Sequence, residues 1–294
     1  MREAWAKGDV VAAEIYARTA YERDIEKGLM IWVTFLRRQK RDNEALQALQ
    51  SAIARFPQSP WRGRWWMEVG HIHRAQGDCQ HAEAAYGQAI ASTSDWPWWR
   101  RDAVLARMMC LYRLGRREEA LTQVLVLLLE QPDDGRGYWG VGWIYRQDGA
   151  YEEADRWFRR AVERNPQRRW WWLAWANMWR DISKDHRNLD RALALYDTII
   201  ERFPTWPLGY YHKARALEMQ GRPEEAARTY EQGLEHETQP SVSHWIQLAR
   251  YWEAAGEREQ AVEAYCQALR LQPQRQDLRQ RLEALGMPEE TCPP

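Results

Sequence analysis

Small and bulky apolar residues recur along this chain in a stripe that repeats every 34 to 38 residues. Each stripe begins at an alanine, continues with a bulky residue four positions later and reaches a small or aliphatic residue three positions after that. This spacing places all three side chains on one face of an α-helix. The alanines are Ala45, Ala82, Ala120, Ala154, Ala192, Ala226 and Ala261. The pattern predicts seven amphipathic helices of one kind.

A second helix is predicted before each of these. An aromatic or aliphatic residue stands sixteen positions before most of the alanines, and a small residue often follows it by four, as at Tyr138 and Gly142. Five units carry a glycine five positions before the alanine, at Gly77, Gly115, Gly149, Gly221 and Gly256. Glycine can adopt the left-handed conformation that ends a helix and turns the chain. We therefore predict helix–turn–helix hairpins, with Lys40 replacing the glycine of the first and a longer turn before Ala192.

Helix pairs with this period and these offsets resemble the tetratricopeptide repeat. The segments GAYEEADRWFRRAVERNP and GEREQAVEAYCQALRLQP are similar to the second helix of that repeat. The resemblance implies an all-α fold, a right-handed superhelical solenoid of stacked hairpins. We assign 1–25 to a partial N-terminal repeat, 26–273 to seven hairpins, 274–286 to a C-terminal capping helix and 287–294 to a tail.

Charge and composition narrow the classes of partner. The 42 Lys and Arg residues balance the 42 Asp and Glu residues, which argues against a nucleic-acid-binding protein. The sequence contains no signal peptide and no apolar run long enough to span a membrane, so we expect a cytoplasmic location. Four widely scattered cysteines are more typical of a reducing compartment than of a disulfide framework.

Basic and aromatic residues are concentrated at the positions that line the concave groove in the tetratricopeptide family. At three such offsets on the first helices, which include Arg37 and His71, nine residues are Lys or Arg and three are acidic. The candidate groove residues are Arg74, Tyr112, Arg136, Trp139, Trp143, Arg146, Trp170, Asn177, Arg180 and Arg215. Arginine pairs with carboxylates, and indole rings accept cations or apolar groups. We therefore expect a protein-interaction scaffold that binds an extended acidic or aromatic segment of a protein or peptide partner.

Three other interpretations of these residues remain open. The arginines and tryptophans of the groove can simply brace a solvated surface. Trp98 and Trp99 lie in a connection between hairpins, SDWPWWRR, and form a candidate exposed edge. Such an edge, together with the incomplete N-terminal repeat, could join copies of the protein into an oligomer or filament. Exposed indoles also stack on sugar rings, which makes a glycan-binding module the remaining alternative.

The sequence contains little that indicates catalysis. His71, His73, Cys79 and His81 form the densest group of metal-ligand types, but the first two diverge on a helix and the last two lie across a turn. Glycines fall at repeat turns rather than in a phosphate-binding loop. We therefore predict no metal site, no cofactor and no enzymatic activity.

Overall fold

A computed structural model describes residues 9–92, 97–182, 186–286 and Cys292. Over these residues the chain forms sixteen α-helices and no strand, as the repeat pattern predicted. The helices are α1 (Val10–Arg23), α2 (Ile25–Arg38), α3 (Asp42–Arg55), α4 (Arg62–Ala75), α5 (Cys79–Ala91), α6 (Trp98–Arg113), α7 (Arg117–Glu130), α8 (Gly135–Gln147), α9 (Tyr151–Arg164), α10 (Arg169–Asp181), α11 (His186–Arg202), α12 (Pro207–Met219), α13 (Pro223–Leu234), α14 (Val242–Ala255), α15 (Arg258–Leu271) and α16 (Gln276–Ala284). None of these helices is long and apolar enough to cross a membrane.

Tight turns join α2 to α3, α4 to α5, α6 to α7, α8 to α9, α12 to α13 and α14 to α15, as the sequence predicted. The five glycines expected at these turns all have a positive φ, between 74° and 82°. Lys40, which replaces glycine in the first hairpin, has a φ of 58°. A residue with a Cβ atom is strained in the left-handed region of backbone conformation. The packing of α2 on α3 therefore imposes the turn at Lys40, against the conformational preference of that residue.

The first compact unit runs from Met1 to Arg164 and holds α1 to α9. Its core contains the predicted alanines, and Ala45 and Ala82 are fully buried. Small residues on the first helices allow close approach of the second ones. A Cβ atom added at Gly70 would lie 2.6 Å from the ring of Tyr86 on α5. The aromatic ring of the second helix therefore occupies the space that a side chain at Gly70 would fill.

The second unit runs from Asn165 to Pro294 and holds α10 to α16. Leu278 and Leu282 of α16 are buried, and α16 packs on α15. Cys266 and Cys292 form a disulfide, which corrects the expectation that the scattered cysteines stay unpaired. Apart from Cys292, the predicted tail lies outside the described residues, as do residues 1–8 of the partial repeat and part of the longer turn before α11.

Candidate functional site

A basic cavity of about 360 Å³ lies among the first helices of unit 1. Arg37 of α2, His71 and Arg74 of α4, and Arg113 of α6 line it together with Ala75. Three successive hairpins thus contribute one guanidinium each, because the repeat places the same helix face in each hairpin toward the same side. We call this set of four charged or ionisable side chains the basic cavity.

One carboxylate partly balances the basic cavity. Glu68 accepts a hydrogen bond from Arg37 at 3.1 Å, and its carboxylate lies 3.6 Å from Nδ1 of His71. Burial favours a raised pKa for Glu68, but the contacts with His71 and Arg37 outweigh burial and hold that pKa below its usual value. Glu68 is therefore ionised at neutral pH and is already engaged with two of the four side chains.

The other two arginines of the basic cavity have no such partner. Arg74 contacts the Met109 sulfur at 3.8 Å, and no carboxylate within the described residues pairs with Arg74 or Arg113. The Tyr86 ring packs edge-on against His71 with centroids 5.6 Å apart. The Tyr86 hydroxyl is buried and has no hydrogen-bond partner among the described residues. The cavity thus carries two arginines that have no paired carboxylate among the described residues, which suits a bound anion.

Arg136 has a different environment from the one that its sequence position suggested. The sequence placed it on the groove surface, but it is only 7% exposed. Its Nε donates to Asp102 at 2.7 Å, and Nη1 donates to Asp134. Both carboxylates neutralise the guanidinium, so Arg136 is held inside the protein and is not available to a partner.

Tyr112 and Trp143, two further candidates, form an aromatic pair. Their rings meet edge to face with centroids 5.4 Å apart, and the Tyr112 hydroxyl donates to Asp148 at 2.8 Å. Arg146 is half-buried and follows Trp143 by three residues, which places the two on neighbouring positions of α8. Trp139 is also half-buried, with its ring 6.4 Å from that of Phe158.

Two candidates in unit 2 are engaged in internal contacts. Arg180 is 6% exposed; it donates to Asp181 at 2.6 Å, and its Nη1 lies 2.6 Å from Nδ1 of His212. Burial and the adjacent Arg180 lower the pKa of His212 to about 4, so the imidazole is neutral at pH 7. The Asn177 side chain accepts a hydrogen bond from the Tyr196 hydroxyl at 2.6 Å. Arg180 and Asn177 therefore hold helices together and leave little surface for a partner.

The remaining candidates of unit 2 are accessible. Trp170 is 57% exposed and stands edge to face on the buried Trp206, with centroids 5.0 Å apart. Arg215 is exposed and lines a cavity of about 470 Å³. The other lining residues are Tyr211, His212, Glu218, Tyr230, Gln247, Arg250 and Tyr251. Burial raises the pKa of Tyr251 to about 12, so this cavity presents neutral phenols beside charges of both signs.

Only one of the two tryptophans predicted at the exposed edge, Trp98 and Trp99, is exposed. Trp98 is 50% exposed, and the Arg64 guanidinium lies 5.6 Å from its ring centre. Trp99 instead packs inward, because a Cβ atom added at Gly63 would meet its ring at 2.3 Å. Trp98 alone of this pair offers an exposed face.

Sequence reasoning missed Arg113. The groove offset selected Tyr112, and Arg113 follows it directly, 39 residues after Arg74. The spacing between the second and third hairpins is 38 residues, so the offset that finds Arg74 falls one position short of Arg113. A search for arginine one position either side of each offset would have found it.

Comparisons with known proteins agree with the fold. A tetratricopeptide repeat family model matches residues 105–169, 184–241 and 211–276, which together cover more than half of the chain, and a second tetratricopeptide model matches residues 33–59. No curated protein matches the sequence.

Solved structures of similar architecture are distant in sequence. A tetratricopeptide repeat protein from Parabacteroides merdae is 20% identical with a TM-score of 0.51, and the match covers 91% of this chain and 99% of that one. The C-terminal part of a tetratricopeptide protein from Cytophaga hutchinsonii is 14% identical with a TM-score of 0.54, covering 84% and 96% of the two chains. Yeast Tom70 is 14% identical with a TM-score of 0.59, covering 84% of this chain and 51% of Tom70. At these identities the likeness concerns the fold alone.

Proposed function

Because the chain belongs to the tetratricopeptide repeat family, a family of protein-interaction scaffolds, we propose that it is a non-catalytic scaffold that binds an extended, acidic or aromatic segment of a partner protein. We place the acidic residues of that segment in the basic cavity of unit 1. The observation that carries this proposal is the surplus of three arginines, Arg37, Arg74 and Arg113, over the carboxylate of Glu68, which pairs with Arg37.

Carboxylates suit the basic cavity better than apolar groups. Arg74 and Arg113 can each offer a planar pair of N–H donors to a carboxylate, and such bidentate contacts are stronger than neutral hydrogen bonds. A cavity of about 360 Å³ accommodates one or two short acidic side chains rather than a folded domain. An extended segment that places glutamates at intervals fits this geometry.

Aromatic residues of the partner have separate contact points. Trp143 and Tyr112 form an aromatic pair in the same unit as the basic cavity, and Arg146 follows on the same helix as Trp143. In unit 2, Trp170 offers an exposed ring and Arg215 an exposed guanidinium. Aromatic side chains stack on such rings and on guanidinium planes. These five residues are the candidates that we retain for contacts outside the basic cavity.

Removing the two unpaired arginines tests the proposal. The probe is a short fluorescein-labelled peptide in which glutamates alternate with tyrosines and serines, and binding is followed by fluorescence anisotropy. We expect the double variant Arg74→Ala/Arg113→Ala to weaken binding by about tenfold or more, which corresponds to about 1.4 kcal/mol. Added salt should weaken binding of the wild-type protein as well.

A matched control separates the basic cavity from net charge. Arg159→Ala/Arg228→Ala also removes two arginines, but these are exposed side chains on second helices, each paired with a carboxylate one helical turn away. This control should bind the peptide as the wild type does. Equal weakening in both double variants, or equal binding of a lysine-for-glutamate peptide, would remove the proposal.

A second candidate function is self-association through α1. Val11, Ile15 and Tyr16 are all exposed, and Val11 and Ile15 lie one helical turn apart on the same face. An exposed apolar stripe is a recognised signature of an interaction surface. We expect Val11→Glu/Ile15→Glu to abolish any concentration-dependent rise in mass that light scattering detects for the wild type across a dilution series. A wild-type protein that stays monomeric at every concentration would reject this second function.

A further inference from the structure

Three side chains with metal-ligand chemistry meet at the turn of the second hairpin. His73 lies in the last turn of α4, Asp78 is the residue that caps α5, and His81 lies in the first turn of α5. Gly77 reverses the chain between the two helices, with a φ of 82°. One ligand atom from each of the three residues lies within 4.8 Å of the others.

The two oxygens of Asp78 have separate tasks. Oδ1 accepts a hydrogen bond from the His81 backbone N–H at 3.0 Å and so caps the helix. Oδ2 forms a 2.6 Å hydrogen bond with Nδ1 of His81 and lies 3.7 Å from Nδ1 of His73. Capping therefore leaves one carboxylate oxygen between two imidazole nitrogens.

The distances suit a small ion after minor side-chain rotation. Ligands of a tetrahedral Zn²⁺ lie about 2.0 to 2.1 Å from the metal, and hence about 3.4 Å from one another. The separations of 2.6 Å and 3.7 Å lie on either side of that value. Both helix ends are fixed by the turn, so moving the ligands requires rotation of side chains only.

His73 carries an unmet requirement that a metal would satisfy. Its Nδ1 atom is buried and has no hydrogen-bond partner among the described residues. A buried polar atom without a partner costs free energy, and native structures rarely leave one unexplained. The imidazoles of His73 and His81 also stack with centroids 5.3 Å apart. Helix capping accounts for Asp78 and His81, but it gives no reason for the position of His73.

The sequence alone pointed away from this arrangement. The sequence grouped His71, His73, Cys79 and His81, and we predicted no metal site because the first two diverge on a helix and the last two lie across the turn. In the structure His71 faces Glu68 and Tyr86, and Cys79 interacts with the buried thiol of Cys110. Asp78, which the sequence argument did not include, takes the place of both.

We propose that His73, Asp78 and His81 form a three-ligand site for a divalent transition-metal ion of the Zn²⁺ class. Two imidazole nitrogens and one carboxylate oxygen are ligands that this class accepts readily, and the order of affinities places Cu²⁺ and Zn²⁺ above Mn²⁺ and Fe²⁺. A bound ion ties the end of α4 to the start of α5 and raises the stability of the hairpin that carries Arg74. Its remaining coordination position is open to water or to a ligand from a partner. This metal site does not depend on the proposal that the basic cavity binds an acidic segment of a partner protein.

The test uses the full chain, freed of metal with a chelator that is then removed, with the Cys266–Cys292 disulfide left intact. Calorimetric titration with ZnCl₂ should give a single site per chain, and the melting temperature should rise on addition of Zn²⁺. His73→Gln and His81→Gln should each weaken Zn²⁺ binding by about tenfold or more. His71→Gln is the matched control, because His71 lies on the same helix outside the cluster, and its affinity should equal that of the wild type.

Asp78→Asn keeps the test valid if a histidine variant folds poorly. An asparagine oxygen can still accept the capping hydrogen bond from His81, while the negative charge that attracts the ion is removed. We expect unchanged helicity by circular dichroism together with weakened Zn²⁺ binding. Cys79→Ser checks the neighbouring thiol and should bind as the wild type does. The proposal is overturned if the His73, His81 and Asp78 variants bind Zn²⁺ as tightly as the wild type does, or if Cys79→Ser loses Zn²⁺ binding.

Discussion

The two units use the same repeat but give their first helices different chemistry. In unit 1, the groove offset carries Arg37 and Arg74, and the basic cavity has one paired carboxylate. In unit 2, the same offset carries Arg180, which is buried, and the acidic Glu218 and Glu253; Glu218 lines a cavity rich in tyrosine, and Glu253 pairs with Arg281 at 2.8 Å. The difference shows that a chain of zero net charge can still concentrate positive charge locally. An acidic ligand should therefore bind unit 1 more tightly than unit 2.

The largest expected effect concerns the buried arginines, Arg136 in unit 1 and Arg180 in unit 2. Arg136→Ala leaves Asp134 almost fully buried with less compensation, so we expect the free energy of unfolding to fall by about 3 kcal/mol. Arg180→Ala leaves Asp181, whose side chain is about half exposed, and we expect the free energy of unfolding to fall by about 1 kcal/mol. Urea denaturation followed by circular dichroism measures both.

The exposed Arg159 supplies the control for these two substitutions. Arg159→Ala should change the free energy of unfolding by no more than about 0.5 kcal/mol. If Arg136→Ala and Arg180→Ala lower the free energy of unfolding by equal amounts, the predicted difference between the two buried arginines is wrong.

A change of pH should have a smaller effect on stability than Arg136→Ala, and it should act through His212 of unit 2. The pKa of His212 falls from an ordinary 6.5 to about 4 in the folded state, because burial and Arg180 disfavour the imidazolium. Between these two values the unfolded chain binds a proton that the folded chain does not, so stability falls as pH falls from 6.5 to 4, by about 2 kcal/mol. Unfolding curves across that range should show this slope.

Replacing His212 isolates its share of the pH dependence. His212→Asn keeps an acceptor near Arg180 but cannot titrate, so the variant should lose part of the stability decrease between pH 6.5 and 4. An unchanged slope in the variant would show that other groups account for the acid sensitivity.

The smallest effects belong to the exposed tryptophans, Trp98 in unit 1 and Trp170 in unit 2. Each side chain is about half exposed, so Trp98→Ala and Trp170→Ala should each lower the free energy of unfolding by about 1 kcal/mol or less. If Trp98 binds glycans, added oligosaccharide should quench tryptophan fluorescence in the wild type and less in Trp98→Ala. Quenching that is the same in both proteins would reject Trp98 as a glycan platform.

Sequence reasoning predicted the hairpins and their turns in detail but predicted the site only in part. The turn glycines, the buried alanines and the amphipathic helices all follow from short-range periodicity. Of the candidate residues, Trp170 and Arg215 are exposed and Arg74 is half-buried, whereas Arg136 and Arg180 are buried in ion pairs. Both kinds occupy groove offsets, so an offset alone does not separate a surface arginine from a buried one.

The sequence by itself determined the repeat, the positions of the turn glycines and the balance of charge, because the repeat and its turns depend on residues within one helical hairpin and charge balance depends on composition alone. Only the tertiary structure decided which charges neutralise one another. Asp102 reaches Arg136 from the preceding hairpin, and Cys266 meets Cys292 across 26 residues. Such pairs form between side chains brought together by packing, and their direction and burial are set by neighbouring helices rather than by the local pattern.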